Sequence, residues 1–164
     1  MCASIRAFDG RAEQTQLSSD VMKALDLSHM NDIVHRIYHI DISRSEVAAL
    51  APMVISAARN GDQGASPIIK LGIQEQVLAV HVAAAKLNLL TKPEIVLVGR
   101  LQNATDGFVE PLRHAISDDL PGSVVRTPEL SPVLGACVLA LKQRNVDLNA
   151  VATRLRDSET LLGE

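Results

Sequence analysis

The side chains that could do chemistry are few and widely spaced in this sequence. His35 and His39 lie four residues apart, a spacing that places two imidazoles on one face of a helix, where they can hold a metal ion. They lack a third ligand and the glutamate of a metalloprotease, which favours ordinary surface histidines. Asp118 and Asp119 form a carboxylate pair, but helical neighbours point in different directions, so a solvated helix end is the favoured interpretation.

Four other residues also have a structural interpretation beside a functional one. His81 lies in a long apolar segment, where a hydrogen-bonded histidine at the core or its boundary is the default. Asp62 is better explained as a helix cap than as an acid catalyst. Cys137 lies in an apolar run and is predicted to be a small core residue, since two cysteines cannot build a disulfide framework or a metal cluster. Gly135 is predicted to allow close helix packing.

Glycine-rich segments are the usual phosphate-binding elements, and three are present here. They are Asp9-Gly10-Arg11, the stretch 61–64 and Gly99, and none has the strand–loop–helix arrangement with Lys or Thr that cradles phosphates. The first is typical of a turn. Gly99 follows a β-branched run at the carboxyl end of a predicted strand, where open α/β sheets bind ligands. Nucleotide contact and a simple turn both remain open for Gly99.

Composition limits the classes of function. The chain has 164 residues, enough for one domain, with 47% hydrophobic, 21% charged and 2% aromatic residues. Few aromatic rings and a net charge of −3 disfavour a nucleic-acid partner. No basic start precedes an apolar leader, and no uninterrupted apolar run approaches the length of a membrane span. A soluble, cytoplasmic protein is expected.

Hydrophobic periodicity predicts a helix-rich chain with two strands. Ser43 and Glu46 predict a capping box, and Pro52 should bend or break the helix that follows. The longest helix begins at a cap formed by Asp62 or by Ser66; it is apolar on most of its circumference and is therefore predicted to be buried. A polar opening with a turn is predicted for residues 4–16. The predicted helices are 18–27 (capped by Ser18 or Ser19), 30–38, 43–59, 62–90, 106–120 and 131–141, and the strands are 94–99, fully buried, and 123–126.

Strands that alternate with helices predict an α/β fold with a parallel sheet of about two strands. Such a sheet is too small to be stable alone, because parallel strands need both faces covered. The chain is therefore expected to be cut from something larger. Residues 1–145 are assigned to this truncated domain, and residues 146–164 to a terminal helix capped by Asp147 and a frayed tail.

Four stretches, in the same order, resemble the later part of the BadF/BadG/BcrA/BcrD-type ATPase family, and within it the bacterial N-acetylglucosamine kinases. They are IRAFDGRAEQTQLSSDVMKALDL at 5–27, EVAALAPMVISAARNGDQGASPII at 46–69, EIVLVGRLQN at 94–103 and PELSPVLGACVLAL at 128–141. The resemblance implies the carboxyl-terminal part of an actin-like (ribonuclease-H-like) ATPase lobe. In that family, ATP with Mg is the cofactor and an amino sugar is the substrate.

The resemblance also implies which functional parts the chain carries. The family's phosphate-binding loop, catalytic Asp and sugar-binding residues belong to its amino-terminal portion, and their motifs are missing here. Gly99 matches the first glycine of a Gly-Gly pair that lies against the adenine and ribose, while Arg100 replaces the second. The chain is therefore expected to supply the adenosine-side lobe of a sugar kinase and to be inactive alone, binding no cofactor tightly.

A second interpretation is a non-catalytic α/β interaction module that pairs with a partner through its open sheet edge. Self-association or a complementary amino-terminal half is the expected partner in either case. Nucleic acid and membrane are not expected partners.

Overall fold

The computed structural model describes residues 1–39, 42–99, 105–147, 151 and 154. Helices dominate, and two short strands pair in parallel. In chain order the elements are α1 (Cys2–Phe8), α2 (Leu17–Ala24), α3 (Asp32–His39), α4 (Arg44–Ala49), α5 (Ala51–Arg59), α6 (Ser66–Lys86), β1 (Glu94–Val96), a π-helical turn (Thr105–Val109), α7 (Glu110–Asp119), β2 (Val124–Arg126) and α8 (Pro132–Gln143).

The chain divides into two compact units. The first comprises Met1–Ile95 and Gly99–Val125, and the second comprises Val96–Val98 and Arg126–Glu164. The first unit buries aliphatic side chains from α2, α3, α5 and the segments between them. Its clusters are Val21, Leu25, Met30 and Ile33 in one place, and Leu17, Ala57 and Ala65 in another.

The amino-terminal segment differs from its prediction. The first part of segment 4–16, predicted as a polar opening, is helical and belongs to α1 (Cys2–Phe8). The helix forms there because Ile5 packs against the core and Ala7 is fully buried. The predicted Asp9–Gly10 turn follows directly, with Gly10 at a φ of 79°. The caps predicted for α2 are wrong: the helix begins at Leu17, one residue before Ser18, since Leu17 is buried and its N–H donates to Thr15 Oγ1.

The capping box of α4 is confirmed. Ser43 Oγ accepts from the Glu46 N–H at 3.2 Å, and Glu46 Oε2 accepts from the Ser43 N–H at 2.9 Å. The break at Pro52 is confirmed as well, since α4 ends at Ala49 and α5 begins at Ala51 with the proline in its first turn. Proline tolerates that position because an N–H there has no intrahelical partner.

Helix α6 is shorter than predicted, covering Ser66–Lys86 rather than 62–90, and it is not buried as predicted. It begins at Ser66 with Pro67 in its first turn, and Ala84 is its one buried residue. Leu71 and Leu78 are more than half exposed. The prediction of a covered helix was wrong because, in the described part of the chain, α5 and α7 pack against one side of it. By length and composition α6 is also apolar enough to cross a membrane, a weak indication that soluble core helices share.

The sheet is shorter and more exposed than predicted. Strand β1 covers three residues rather than six, and Val96 is 49% exposed. The Val124 N–H donates to the Pro93 carbonyl at 2.9 Å. Arg113 of α7 donates to the Val125 carbonyl. The expected full burial of β1 was wrong, since β2 is its one strand neighbour among the described residues.

Some predictions for the last two helices are confirmed and others are wrong. The helix predicted over 106–120 is observed as the π-helical turn and α7, and its inner face buries Phe108, Leu112, Ile116 and Leu120, while Ala115 is half-buried. Helix α8 begins at Pro132 as predicted, but only Leu134 is buried. Cys137 is exposed and nothing lies within 4 Å of a Cβ built on Gly135, so both predicted packing roles are wrong. Of the predicted terminal helix after Asp147, the structure describes Val151 and Arg154, both helical; the other residues of that segment and the tail lie outside the described residues.

Candidate functional site

An open cavity of about 470 Å³ lies in the first unit, beside the start of α6. Helix α5 contributes its last turn, α6 its first half, and the π-helical turn and α7 close the far side. The floor is apolar, while Arg59 and Lys70 place two cations at the cavity. The lining residues are Ala58, Arg59, Ser66, Ile69, Lys70, Ile73, Gln74, Gly107 and Ala115.

Gly107 allows the π-helical turn to approach α5. A Cβ built on this glycine would overlap Ile55 Cγ2 and would lie 3.0 Å from Arg59 Cδ. Any larger residue would push the turn away from α5 and change the cavity wall. Glycine is required here because the turn packs directly against the Ile55 and Arg59 side chains of α5.

A second open cavity, of about 430 Å³, continues along the furrow between α6 and α7. It shares Ile73, Gln74 and Ala115 with the first cavity and reaches His81 and Asp119 at its other end. His81 Nδ1 donates to Asp119 Oδ2 at 2.7 Å, which ties α6 to α7. The predicted hydrogen-bonded boundary role of His81 is confirmed. The sequence favoured a solvated helix end for Asp119; the residue is exposed, and its carboxylate also accepts the hydrogen bond from His81.

Asp62 holds the loop before α6 against the segment before α2. Its Oδ1 accepts from Thr15 Oγ1 at 2.7 Å and from the N–H groups of Gly64 and Ala65, and its Oδ2 accepts from the Gln16 N–H at 2.7 Å. The predicted capping role holds only for the turn before the helix: Asp62 accepts from Gly64 and Ala65 in that turn, whereas the N-cap of α6 itself is Ala65 and has no side-chain cap. The carboxylate thereby fixes the end of α6 that lines the first cavity.

The pKa of Asp62 reflects two opposed causes. Burial of the carboxyl group raises its pKa, and the hydrogen bonds from Thr15, Gln16, Ala65 and Gly64 lower it. The hydrogen bonds outweigh burial, so the pKa lies below its ordinary value. Asp62 is therefore a charged structural acceptor at neutral pH, not a proton donor.

The remaining predicted site residues are dispersed. Gly99 has a φ of 120°, a conformation that L side chains rarely adopt, and nothing lies within 4 Å of a Cβ built there. It is not one of the lining residues of the two cavities, and its contact with adenosine stays a prediction. Arg100 lies outside the described residues. Asp9 accepts two or more bonds from the Arg11 guanidinium at 2.6–2.9 Å, which confirms a local turn.

No candidate metal site is assembled among the described residues. His35 and His39 lie on α3, and no cluster of three His, Cys, Asp or Glu side chains occurs among the residues described. Sequence reasoning missed Arg59, Lys70 and Gly107 as cavity residues. The one available signal was a glycine directly before buried Phe108 in an otherwise amphipathic helix.

Comparison with known proteins establishes the class. A sequence model of the BadF/BadG/BcrA/BcrD ATPase family matches residues 1–140, so the chain belongs to that family. It is also similar to the N-acetylmuramic acid/N-acetylglucosamine kinase of Clostridium acetobutylicum, with 25% identity over 139 residues. That alignment covers 84% of this chain and 45% of the kinase, so the chain spans less than half of its relative's length. No solved structure matches.

Proposed function

We propose that this chain supplies the adenosine-side part of an ATP-dependent sugar kinase and corresponds to the carboxyl-terminal part of one lobe of an actin-like ATPase. The observation that carries the proposal is the first cavity, with its apolar floor and its two cations. Its size is within the range of ordinary small-molecule sites, about 300–1,000 Å³. Family membership and the similarity to a kinase for N-acetylated amino sugars support this assignment.

Six side chains of the cavity are given a part in the proposed binding. Ile69 and Ile73 offer an apolar surface to one face of the base and exclude water from it. Ala58 and Ala115 are small enough to leave room for the ring. The Lys70 ammonium attracts the phosphates as a point charge, with the Arg59 guanidinium nearby. Gly99 is proposed to lie against the ribose side, as the family motif implies.

ATP supplies the phosphoryl group in kinases of this family, and Mg screens its charge. The lining residues of the first cavity include neither Asp nor Glu, so no carboxylate of this cavity would hold the Mg ion. The described residues also gather no base beside it. We therefore propose that the chain alone binds nucleotide weakly and transfers no phosphoryl group, the metal ligands and base belonging to the rest of a kinase in the cytoplasm.

Nucleotide binding is tested by isothermal titration of the full chain with ATP, ADP and adenosine. The Lys70→Ala variant should weaken ATP binding roughly tenfold and adenosine binding much less, because the ammonium acts on the phosphates. Lys86→Ala is the matched control, an exposed lysine at the other end of the same helix. Equal ATP affinity in the two variants, or no adenine-dependent heat at all, would count against the cavity as the adenosine site.

Catalysis is tested separately. Purified chain is incubated with Mg-ATP and N-acetylglucosamine, and sugar phosphate is measured against a boiled sample. No product is expected above that control. Phosphorylated sugar from the chain alone would show that the proposed division of labour is wrong.

A further inference from the structure

Helix α6 carries an apolar stripe that is exposed in the described part of the chain; Glu75 lies within it, and Leu78 at its edge also lines the second cavity. We call the set Ile68, Leu71, Leu78 and Val82 the outward face; these side chains are 40% to 58% exposed. Spacings of three, four and seven residues place them on one side of the helix. Isolated exposed apolar residues are normal, whereas a contiguous exposed stripe marks an interaction site.

The apolar surface continues past the end of the helix. Leu87, Leu89 and Leu90 follow directly and are 66%, 49% and 46% exposed. All of these residues belong to the first compact unit. The apolar stripe therefore extends over more than twenty residues, which is long for an apolar stretch on a solvent-exposed surface.

Glu75 decides what kind of surface can cover the outward face. It is exposed and lies four residues after Leu71 and three before Leu78, in the middle of the stripe. A lipid bilayer would have to bury this carboxylate among hydrocarbon chains, which is costly for an unpaired charge. Lys70 and Lys86 add two further charges to the same helix. A protein surface that presents a cation opposite Glu75 fits better.

A second copy of this chain fits less well than a different protein surface. Two-fold pairing of the outward face places two α6 helices antiparallel about a point between Glu75 and Leu78. With helix axes about 8–10 Å apart and a rise of about 1.5 Å per residue, the two Glu75 side chains would lie within roughly 10 Å of each other. Like charges at that distance in a desolvated interface are unfavourable.

We infer that the outward face of α6 packs against the amino-terminal part of a kinase of this family, in the same polypeptide or as a separate one. The chain spans 45% of its Clostridium relative, so more than half of such a kinase lies outside it. A parallel sheet of two three-residue strands also needs further strands and cover. The inference rests on the kinase assignment proposed above but not on nucleotide binding by this chain.

The experiment co-expresses the full chain with a tagged polypeptide, the portion of the Clostridium acetobutylicum kinase that this chain does not match. The wild-type chain should copurify at one to one. The double variant Leu71→Gln and Val82→Gln should lower the copurified amount by about a hundredfold, since two apolar anchors are lost. Glu75→Leu should also lower it, because the partner's cation loses its counter-charge.

Controls separate loss of contact from loss of fold. Leu139 on α8 is 65% exposed, so Leu139→Gln should copurify like the wild type. The double variant alone should keep the circular dichroism and thermal midpoint of the wild type, because its changed side chains are already in water. Neither Leu71 nor Val82 lines a described cavity, so nucleotide titration of the same variant reports independently on the proposed function.

Three results would overturn the inference. The first is no copurification of the wild-type chain, or equal copurification of the double variant. The second is a homodimer of the chain alone by light scattering that the double variant dissolves, which would assign the outward face to a second copy. The third is flotation of the wild-type chain with phosphatidylglycerol vesicles that the double variant loses, which would assign it to a membrane.

Discussion

Replacing Asp62 by Asn tests how the entry to α6 is held. The substitution keeps the shape of the side chain, removes its charge and replaces one carboxylate oxygen by an amide nitrogen. One oxygen can still accept from Thr15, Gly64 and Ala65, as Oδ1 does now. The amide nitrogen then faces the Gln16 N–H, which donates to Oδ2 at 2.7 Å in the native chain. Two donors oppose each other there, and the Gln16 N–H loses its protein acceptor.

The size of the effect follows from the number of bonds changed. A hydrogen bond to a charged acceptor contributes about 1.5–3 kcal/mol, and the site is partly open to water, which can replace the lost partner. We expect Asp62→Asn to lower the free energy of unfolding by about 2 kcal/mol. For a chain of this length, that corresponds to a fall in Tm of roughly 4–8 °C.

The pH dependence provides a second readout. Hydrogen bonding holds the pKa of Asp62 below its ordinary value despite burial. Its contribution to stability is therefore fully present above the unfolded pKa, about 3.9, and is lost as the pH falls through the lower folded value. The gap in unfolding free energy between wild type and Asp62→Asn should be constant near neutral pH and should shrink below about pH 4.

Urea unfolding followed by circular dichroism at 222 nm measures both quantities. Asp118→Asn is the matched control, an exposed carboxylate near the end of α7. A cycle with Thr15→Val should give a coupling of about 0.5–2 kcal/mol with Asp62, because the two side chains bond directly. An Asp62 variant that unfolds like the Asp118 variant, or a pH-independent gap below pH 4, would refute this account of the loop.

Three further substitutions test other contacts by the same unfolding assay. Gly107→Ala should cost about 1–3 kcal/mol because its Cβ overlaps Ile55. Gly72→Ala should be neutral or stabilising, since its Cβ would lie 3.6 Å from Phe108 Cε2, an ordinary contact. If Gly72→Ala proved the more costly change, the packing described would be contradicted. Ser43→Ala should cost about 1 kcal/mol through loss of the capping box, and exposed Ser45→Ala should not. His81→Ala should change stability by less than about 1 kcal/mol, since its ion pair is half exposed; a larger loss would mean that the pair is a main link between α6 and α7.

Local patterns predicted the elements of this chain well. The capping box at Ser43, the break at Pro52 and the start of α8 at Pro132 depend on residues within one helical turn of each other, and each was confirmed. The start of α2 was wrong because Leu17 is held by a tertiary contact and by Thr15, which no local pattern reveals. Caps fail as predictors where burial of the first residue decides the helix start.

The candidate site was harder to predict than the elements. Lys70 and Arg59 belong to different helices, and the cavity that they line exists because Gly107 lets a third element approach α5. Residue spacing within one segment cannot reveal that side chains of different helices line the same cavity. Only the family motif pointed to nucleotide contact, and it pointed to Gly99 rather than to these residues.

The sequence predicted too much burial at α6, β1 and α8. Each segment has the composition of a covered element, yet Leu71, Val96 and Leu139 are largely in water. A sequence evolved to be covered by other parts of a protein keeps that composition whether or not those parts are present, because composition is set by the whole fold. Burial was predicted too low at α1, where Ala7 is fully buried, so the errors do not all have one sign. The excess at α6, β1 and α8 is what the packing inferred above would produce, and a relative of more than twice the matched length offers a source for that cover.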